Sequence, residues 1–444
     1  IFVRWLSTWK LFAVWFGPLL AVAVTSDPHT VRQLMGTQGP QTKAVELYRF
    51  IKPWLNTGLL TSNGAKWKQR RLLITPSFHF EILKRYYLSF SKHAALLADG
   101  FATRYGQPFH VYNQYCLAAL DMVTETTVGK PIGALADGNS EYVQAVYTQL
   151  SCVFERIVQP WLWGSWYWLT PAGRTASASL RVLHTQAEEW IAQRRAHLVA
   201  EGALDQAGNG LRSRSQSQPM GCQTFLDVLL TAVDDDGKPV LSDADIREEV
   251  DTVLFEGHDT TAAALTWATY CIGTHPEVQR RVHEELDAVM GDTAVPPIDA
   301  LDKLVYLTAA IKEALRCFPS VPFIARHSIA PTRIDDKIFP KGTTFVMPII
   351  GVHHNEEYWE NNWNFDPDRF LDGKQHTPFS FVPFSAGSRN CIGRNFALME
   401  ERVVLATIFK RFSVTVPVQQ RIYLDPRLVL RPAGGKLLIQ CHPR

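Results

Sequence analysis

The chain lacks a long apolar run, an excess of either charge and any paired cysteine spacing, and each lack removes a class of protein. The most apolar early stretch, Leu11 to Val24, is broken by Gly17-Pro18, whereas a membrane span needs about 20 consecutive apolar residues. It reads instead as two strands around a Gly-Pro turn, closing at Ser26-Asp27-Pro28, a helix start with proline in the first turn. Formal net charge is +2, from 45 Lys and Arg against 43 Asp and Glu. No basic stripe carries interleaved aromatics, so nothing calls for nucleic acid. Seven cysteines, at 116, 152, 222, 271, 317, 391 and 441, are scattered. An odd, dispersed set argues against a disulfide scaffold or a zinc module and fits a reducing compartment. Smaller signals fail as well. Asp234-Asp235-Asp236-Gly237 lacks the ligands a calcium loop needs, and Gly208-Asn209-Gly210 follows no strand. His353-His354, on an extended segment, would point to opposite sides.

What is present is apolar content, 46% of 444 residues, enough for a large core in one domain or two lobes. From Asp27 onward the period is helical, predicting helices near 28–36, 64–75, 79–104, 109–129, 140–156, 175–200, 223–233, 243–274, 276–290, 303–318 and 394–411. Strand signals are short, at 10–24, at 328–350 with a hairpin turn at Asp335-Asp336, and at 411–442. The fold class is mainly α with small peripheral β-sheets. Residues 202–223 read as a polar linker. Trp161, Trp163, Trp166 and Trp168 crowd one segment, which is either a packed helix junction or an interfacial patch.

The most informative stretch is Phe384-Ser385-Ala386-Gly387-Ser388-Arg389-Asn390-Cys391-Ile392-Gly393, one cysteine in a glycine-bounded turn ahead of an amphipathic helix. A helix N-terminus stabilises a thiolate through its dipole and unpaired N–H groups, which suits an iron ligand. Arg389 can reach a carboxylate on a bound ligand, and Phe384 supplies an apolar ring over the sulfur. Read alone, the stretch also allows a buried structural cysteine in a tight turn. The pattern Phe-x-x-Gly-x-Arg-x-Cys-x-Gly resembles the haem signature of the cytochrome P-450 superfamily. The resemblance implies the cytochrome P-450 fold, haem b on Cys391 and monooxygenation with O2.

Ser242-x-x-Asp245 is a capping box that opens a helix to about Thr274. At 1.5 Å per residue it spans roughly 45 Å. Its middle, Phe255-Glu256-Gly257-His258-Asp259-Thr260-Thr261, places a glycine and two carboxylates where an ordinary buried helix has neither. Gly257 alone costs about 1 kcal/mol of propensity relative to alanine. Such violations are expected at functional sites. The segment resembles the superfamily's oxygen-binding motif. By that resemblance Thr260 hydrogen-bonds dioxygen, Asp259 relays protons, and Gly257 leaves room for oxygen and substrate. Glu256 departs from the usual small residue and is similar to family 4, the fatty-acid omega-hydroxylases, whose glutamate can form an ester with a haem methyl group. A hydrogen-bonded or protonated acid at the haem edge is the other reading of Glu256.

Further motifs follow in the superfamily's order from about residue 10 to the end. Glu313-x-x-Arg316 and Arg369 of Pro367-Asp368-Arg369-Phe370 imply a buried charged triad. Trp67, Arg71, Arg326 and Arg389 imply donors for two haem propionates. Ser388 stands where proline is usual, and Asp368 where glutamate is usual. Pocket-wall candidates are Val253, Leu254, Val321, Phe323, Ile324 and Leu430. Lys66, Lys68, Arg70 and Arg394 suggest a basic patch for an acidic reductase. The resemblance implies one catalytic domain over 1–444 with a membrane anchor ahead of Ile1, on the cytoplasmic face of the endoplasmic reticulum membrane. It also implies NADPH electrons through NADPH-cytochrome P-450 reductase, with cytochrome b5 as a second candidate donor, and a medium- to long-chain fatty-acid substrate. A xenobiotic or sterol-like monooxygenase, or a haem-thiolate isomerase needing no reductase, are the other functions in view.

Overall fold

Local capping chemistry sets where the helices begin. Asp27 accepts the Thr30 N–H at 2.8 Å with Pro28 as the first helical residue, and the Thr170 hydroxyl accepts from Gly173 at 3.0 Å ahead of Pro171. Ser242 and Asp245 form both arms of their capping box, at 3.2 Å each. The computed structural model describes residues 7, 10–16, 20–138, 140–204, 224–371, 376–418 and 420–444. The Gly17-Pro18 turn, Gly208–Gly210 and Cys222 lie outside the described residues.

The main helices are α1 (Pro28–Met35), α2 (Gly64–Ile74), α3 (Phe80–Ala102), α4 (Val111–Val128), α5 (Glu141–Val158) and α6 (Pro171–Ala200). They continue with α7 (Phe225–Leu230), α8 (Asp243–Thr274), α9 (Pro276–Met290), α10 (Val305–Cys317), α11 (Ile349–His353) and α12 (Arg394–Arg411). The strands are β1 (Phe12–Phe16), β2 (Leu20–Val24), β3 (Thr42–Lys43), β4 (Phe109–His110), β5 (Phe323–His327) and β6 (Thr332–Ile334). After them come β7 (Lys337–Phe339), β8 (Thr344–Pro348), β9 (Phe412–Thr415), β10 (Leu424–Pro426), β11 (Leu430–Pro432) and β12 (Leu438–Pro443).

Two compact units result. The first comprises residues 1–47, 90–116 and 260–444, and the second comprises 48–89 and 117–259. The first holds a five-stranded sheet ordered β1-β2-β8-β5-β3, a three-stranded sheet β4-β12-β9, and the hairpins β6-β7 and β10-β11. Its sheet core packs Val31, Leu34 and Met35 of α1 against Phe345, Met347, Val352 and Val382. The second is helical, with α5 packed along α6 and α7 opened by a capping box between Thr224 and Asp227.

Three expectations change. The strand region expected at 328–350 begins earlier, at Phe323, and ends at Pro348, after which α11 forms. His353-His354 therefore leave a helical turn rather than an extended segment, and both are buried. Helix α6 starts at Pro171 because the Thr170 cap overrides the weak apolar period of its first turn. The tryptophan segment divides between its two readings. Trp168 packs with Tyr167 and Cys152, and Trp163 Nε1 donates to the Arg156 carbonyl at 2.6 Å, whereas Trp161 and Trp166 are exposed.

Candidate active site

In the first unit, the chain reaches Cys391 through a strained loop. Ser385 and Gly387 have φ of 59° and 70°, and a Cβ on Gly387 would stand 2.0 Å from the Met35 carbonyl oxygen at the end of α1. Only glycine fits both constraints. The Cys391 N–H donates to the Phe384 carbonyl at 2.8 Å, which closes the loop just before α12. Cys391 is exposed, while the other described cysteines, 116, 152, 271, 317 and 441, are buried. Burial pushes the thiols of Cys317 and Cys441 up to about 12. A thiol in that state is a poor ligand, so accessibility singles out Cys391.

Two buried arginines flank the same stretch of backbone. Arg389 Nε donates to the Gln41 carbonyl at 3.1 Å. Arg326 on β5 sits opposite Lys43 of β3, and its Nη1 donates to the Ala325 carbonyl at 3.2 Å. The β5 entry is fixed to α8 by a relay of bonds. Ser320 Oγ donates to the Thr260 carbonyl at 2.9 Å, the Leu430 N–H donates to the Ser320 carbonyl at 2.8 Å, and Trp267 Nε1 donates to the Leu430 carbonyl at 2.8 Å. Thr260, the segment holding Val321, Phe323 and Ile324, and Leu430 are thus brought together.

The charged triad is present. Arg316 grips Glu313 with two bonds, 2.7 and 2.8 Å, and donates to the carbonyls of His353, Asn362 and Asn364. Arg369 Nε lies 3.3 Å from Glu313 Oε1. His353 was missed as a functional residue. Its Nδ1 bonds the Leu315 carbonyl at 3.2 Å and its Nε2 accepts from Val382 at 2.9 Å, which ties α10 to the segment leading into the cysteine loop. Burial holds this imidazole neutral, with its pKa lowered to about 3.

Helix α8 is buried through most of its length, but Val253, Glu256, Gly257 and Thr260 are only half-buried. Their i, i+3, i+4, i+7 spacing makes one stripe, a face of the helix that side chains do not fully cover. Leu254, off this stripe, and Leu430 are both fully buried, so the expectation that they line a pocket fails. Gly257 also has a different reason from the one expected. Its missing Cβ is where Val123 of α4 packs, 2.5 Å from the ideal position, so the glycine allows two helices to close. Asp259 is fully buried.

In the second unit, α2 offers Trp67 and Arg71, both half-buried. The neighbouring stripe of Lys66 and Arg70 turns inward. Lys66 Nζ lies 2.7 Å from Glu248 and 3.2 Å from Asp245, while Arg70 pairs with Asp245 and stands 3.7 Å from Glu249. Burial alone would raise the Asp245 carboxyl, yet Ser242 and the two cations hold it at about 2. Lys66 and Arg70 are therefore internal anchors of α2, and the expected basic patch loses both. Lys68 and Arg394 are exposed. The periodic i, i+4 pairing of 66 with 70 was the available signal. Among the described residues no group of three His, Cys, Asp or Glu side chains could hold a metal ion, and no helix is long and apolar enough to cross a membrane.

In the first unit an accessible cysteine in a left-handed loop, with the buried Arg389 two residues before it, suits the ligation of a haem iron, and a cytochrome P450 family model matches residues 7–439. The chain is a cytochrome P450. This P450 is 40% identical over 431 residues to human cytochrome P450 4V2, covering 96% of this chain and 81% of the relative. It is 37% identical over 451 residues to Drosophila melanogaster cytochrome P450 4c3, covering 97% and 81%, and 37% identical over 415 residues to human cytochrome P450 4A11, covering 92% and 77%. These relatives make it a P450 of the family 4 type. The solved haem domain of cytochrome P450DA shares the fold with a TM-score of 0.85 at 24% identity, over 98% of this chain and 90% of that one. Membership brings haem with a cysteine thiolate ligand, O2 as co-substrate and monooxygenase chemistry driven through a redox partner.

Proposed function

We propose that this P450 hydroxylates medium- to long-chain fatty acids at or near the terminal carbon, with NADPH electrons delivered by cytochrome P-450 reductase. The half-covered stripe of α8 carries the reading, because it presents Val253, Glu256 and Thr260 on one side of an otherwise buried helix. Family 4 relatives and the apolar residues Val321, Phe323 and Ile324 support a lipid substrate. The bound haem supplies oxygen activation, in which a C–H bond, O2, two electrons and two protons give the alcohol and water. Cys391 provides the thiolate, and Phe384 shields it. Arg326 and Arg389 of the first unit would hold a propionate, and Trp67 and Arg71 of the second are donors of the same kind. The Thr260 hydroxyl hands on a proton that Asp259 replenishes. The Thr260 main chain is held for this by Ser320. An isomerase has no need of that acid–alcohol pair.

Reduced, carbon monoxide-treated protein is expected to show the thiolate-type band, and lauric or palmitic acid with NADPH and reductase is expected to yield the terminal alcohol. Turnover of a steroid or xenobiotic panel with no fatty-acid product would overturn the substrate, and product formed without reductase would point to isomerisation. Glu256 is ester-linked to a haem methyl in this reading. Such a bond would join a Glu256 carboxylate oxygen to the methyl carbon, and would need a two-electron oxidant generated from O2 and reductase electrons, with loss of one proton. Glu256 lies one turn before Thr260 on the open stripe, which supports it. Acidified organic solvent should leave haem on the wild-type chain after turnover and strip it from Glu256→Ala; complete extraction from both sinks the ester.

Membrane-surface contact is part of the proposal. Trp161 and Leu169 are 65% and 81% exposed, with Val158 and Trp166 near them in sequence. Large apolar side chains and indole N–H groups suit a bilayer boundary. Attachment to the cytoplasmic face of the endoplasmic reticulum, with cytochrome b5 as an auxiliary donor, goes with this placement.

A further inference from the structure

Helix α8 has a second polar face, turned away from the open stripe. Asp251 and His258, seven residues apart, share it, and Tyr142 of α5 packs there with its ring centroid 6.5 Å from the imidazole. All three side chains are buried. His258 Nδ1 donates to the Leu254 carbonyl at 2.6 Å, so its other nitrogen, in the neutral ring, is an acceptor. That Nε2 has no hydrogen-bond partner, nor does Tyr142 Oη or either carboxyl oxygen of Asp251. Arg247 Nη1 and His184 Nε2 each stop 3.9 Å from Asp251 Oδ2, beyond a direct hydrogen bond. The His184 ring nitrogen already meets the Trp54 carbonyl at 3.0 Å.

Buried polar groups are almost always satisfied, by protein or by ordered water. Burial raises the Asp251 carboxyl and the Tyr142 phenol well above their usual ranges and lowers the His258 imidazole. Burial thus favours the neutral forms of all three groups: an acid O–H, a phenol O–H and an imidazole acceptor. Two donors, with lone pairs of their own, and one acceptor match the bonding capacity of water. A structural role alone would be served better by apolar residues.

We propose that Tyr142, Asp251 and His258 enclose a bound-water site that stands behind Asp259 as its store of exchangeable protons. The inference rests on the reading of Asp259 as the proton relay, and His258 is its neighbour in the chain. His258 acts here as a positioning residue, holding water rather than touching substrate.

A high-resolution structure of the holoenzyme is expected to show water within hydrogen-bond distance of His258 Nε2 and of Tyr142 Oη or Asp251. Direct pairing of these side chains with no water overturns the site. In steady-state turnover, His258→Phe should lower product formed per NADPH several-fold and enlarge the solvent deuterium isotope effect, with KM and haem content unchanged. His258→Asn, which can still bond water, should recover much of the ratio. Asp259→Asn separates the two ideas. If it lowers the ratio and His258→Phe does not, the proton store is wrong while the relay stands. If Asp259→Asn leaves the ratio intact, the relay is wrong and the store falls with it.

Discussion

Cys391→Ser should give a folded protein with no thiolate-type carbon monoxide band and no monooxygenase product. The loop does not depend on the sulfur. Its shape comes from the left-handed backbone at Ser385 and Gly387 and from the bond between the Cys391 N–H and the Phe384 carbonyl, both of which survive the exchange. A serine hydroxyl is far less acidic than a thiol and does not supply the anion. Circular dichroism and the thermal midpoint of haem-free protein should match wild type, while the reduced difference spectrum and fatty-acid turnover should fall below detection. A retained band would mean that another residue holds the iron.

Arg316→Ala should be the most damaging change to stability. The guanidinium is fully buried, makes both bonds to Glu313 and satisfies three backbone carbonyls. Without it Glu313 becomes a buried charge left with Arg369 and the Asp366 N–H, and such losses cost about 3–5 kcal/mol. Total stability is commonly about 5–15 kcal/mol, so insoluble or haem-free protein is the expected result. Arg369→Ala removes the more exposed and longer contact, 3.3 Å from Glu313, and should lower the haem-to-protein ratio with a smaller drop in the urea midpoint. Equal urea midpoints for wild type and Arg316→Ala would show that the network contributes little.

Much of this was legible because the signals are local. The ends of α8 follow from a capping box at one side and His275-Pro276 at the other, and α9 begins and ends where its apolar period does, whereas α12, expected to be amphipathic, keeps its bounds but is buried nearly all round, Glu400 and Glu401 included. The cysteine loop was legible through its glycines. What sequence could not give were partners distant in the chain. The reason for Gly257 lies at Val123, and that for Gly387 at Met35. Lys66 and Arg70 looked like a docking surface because their acids, Asp245 and Glu248, are far along the chain. His353 looked extended because Pro348 gives no sign of whether strand or helix comes next. Leu254 differs from Val253 only by one step around the helix, and that step decides exposure.

The seat of Gly387 against Met35, with Ser388 and Arg389 both bonded to Gln41, has a consequence for biosynthesis. The loop that presents the thiolate takes its shape from chain made some 350 residues earlier. Vectorial folding during translation therefore cannot finish this loop until the carboxy-terminal part has left the ribosome and returned to the amino-terminal part. Such long-range closure is slow, and the early segment must wait with its apolar face exposed. The thiolate is thus presented only after the loop has met α1 and Gln41, so a chain lacking the residues up to Gln41 would lack the seat that shapes it.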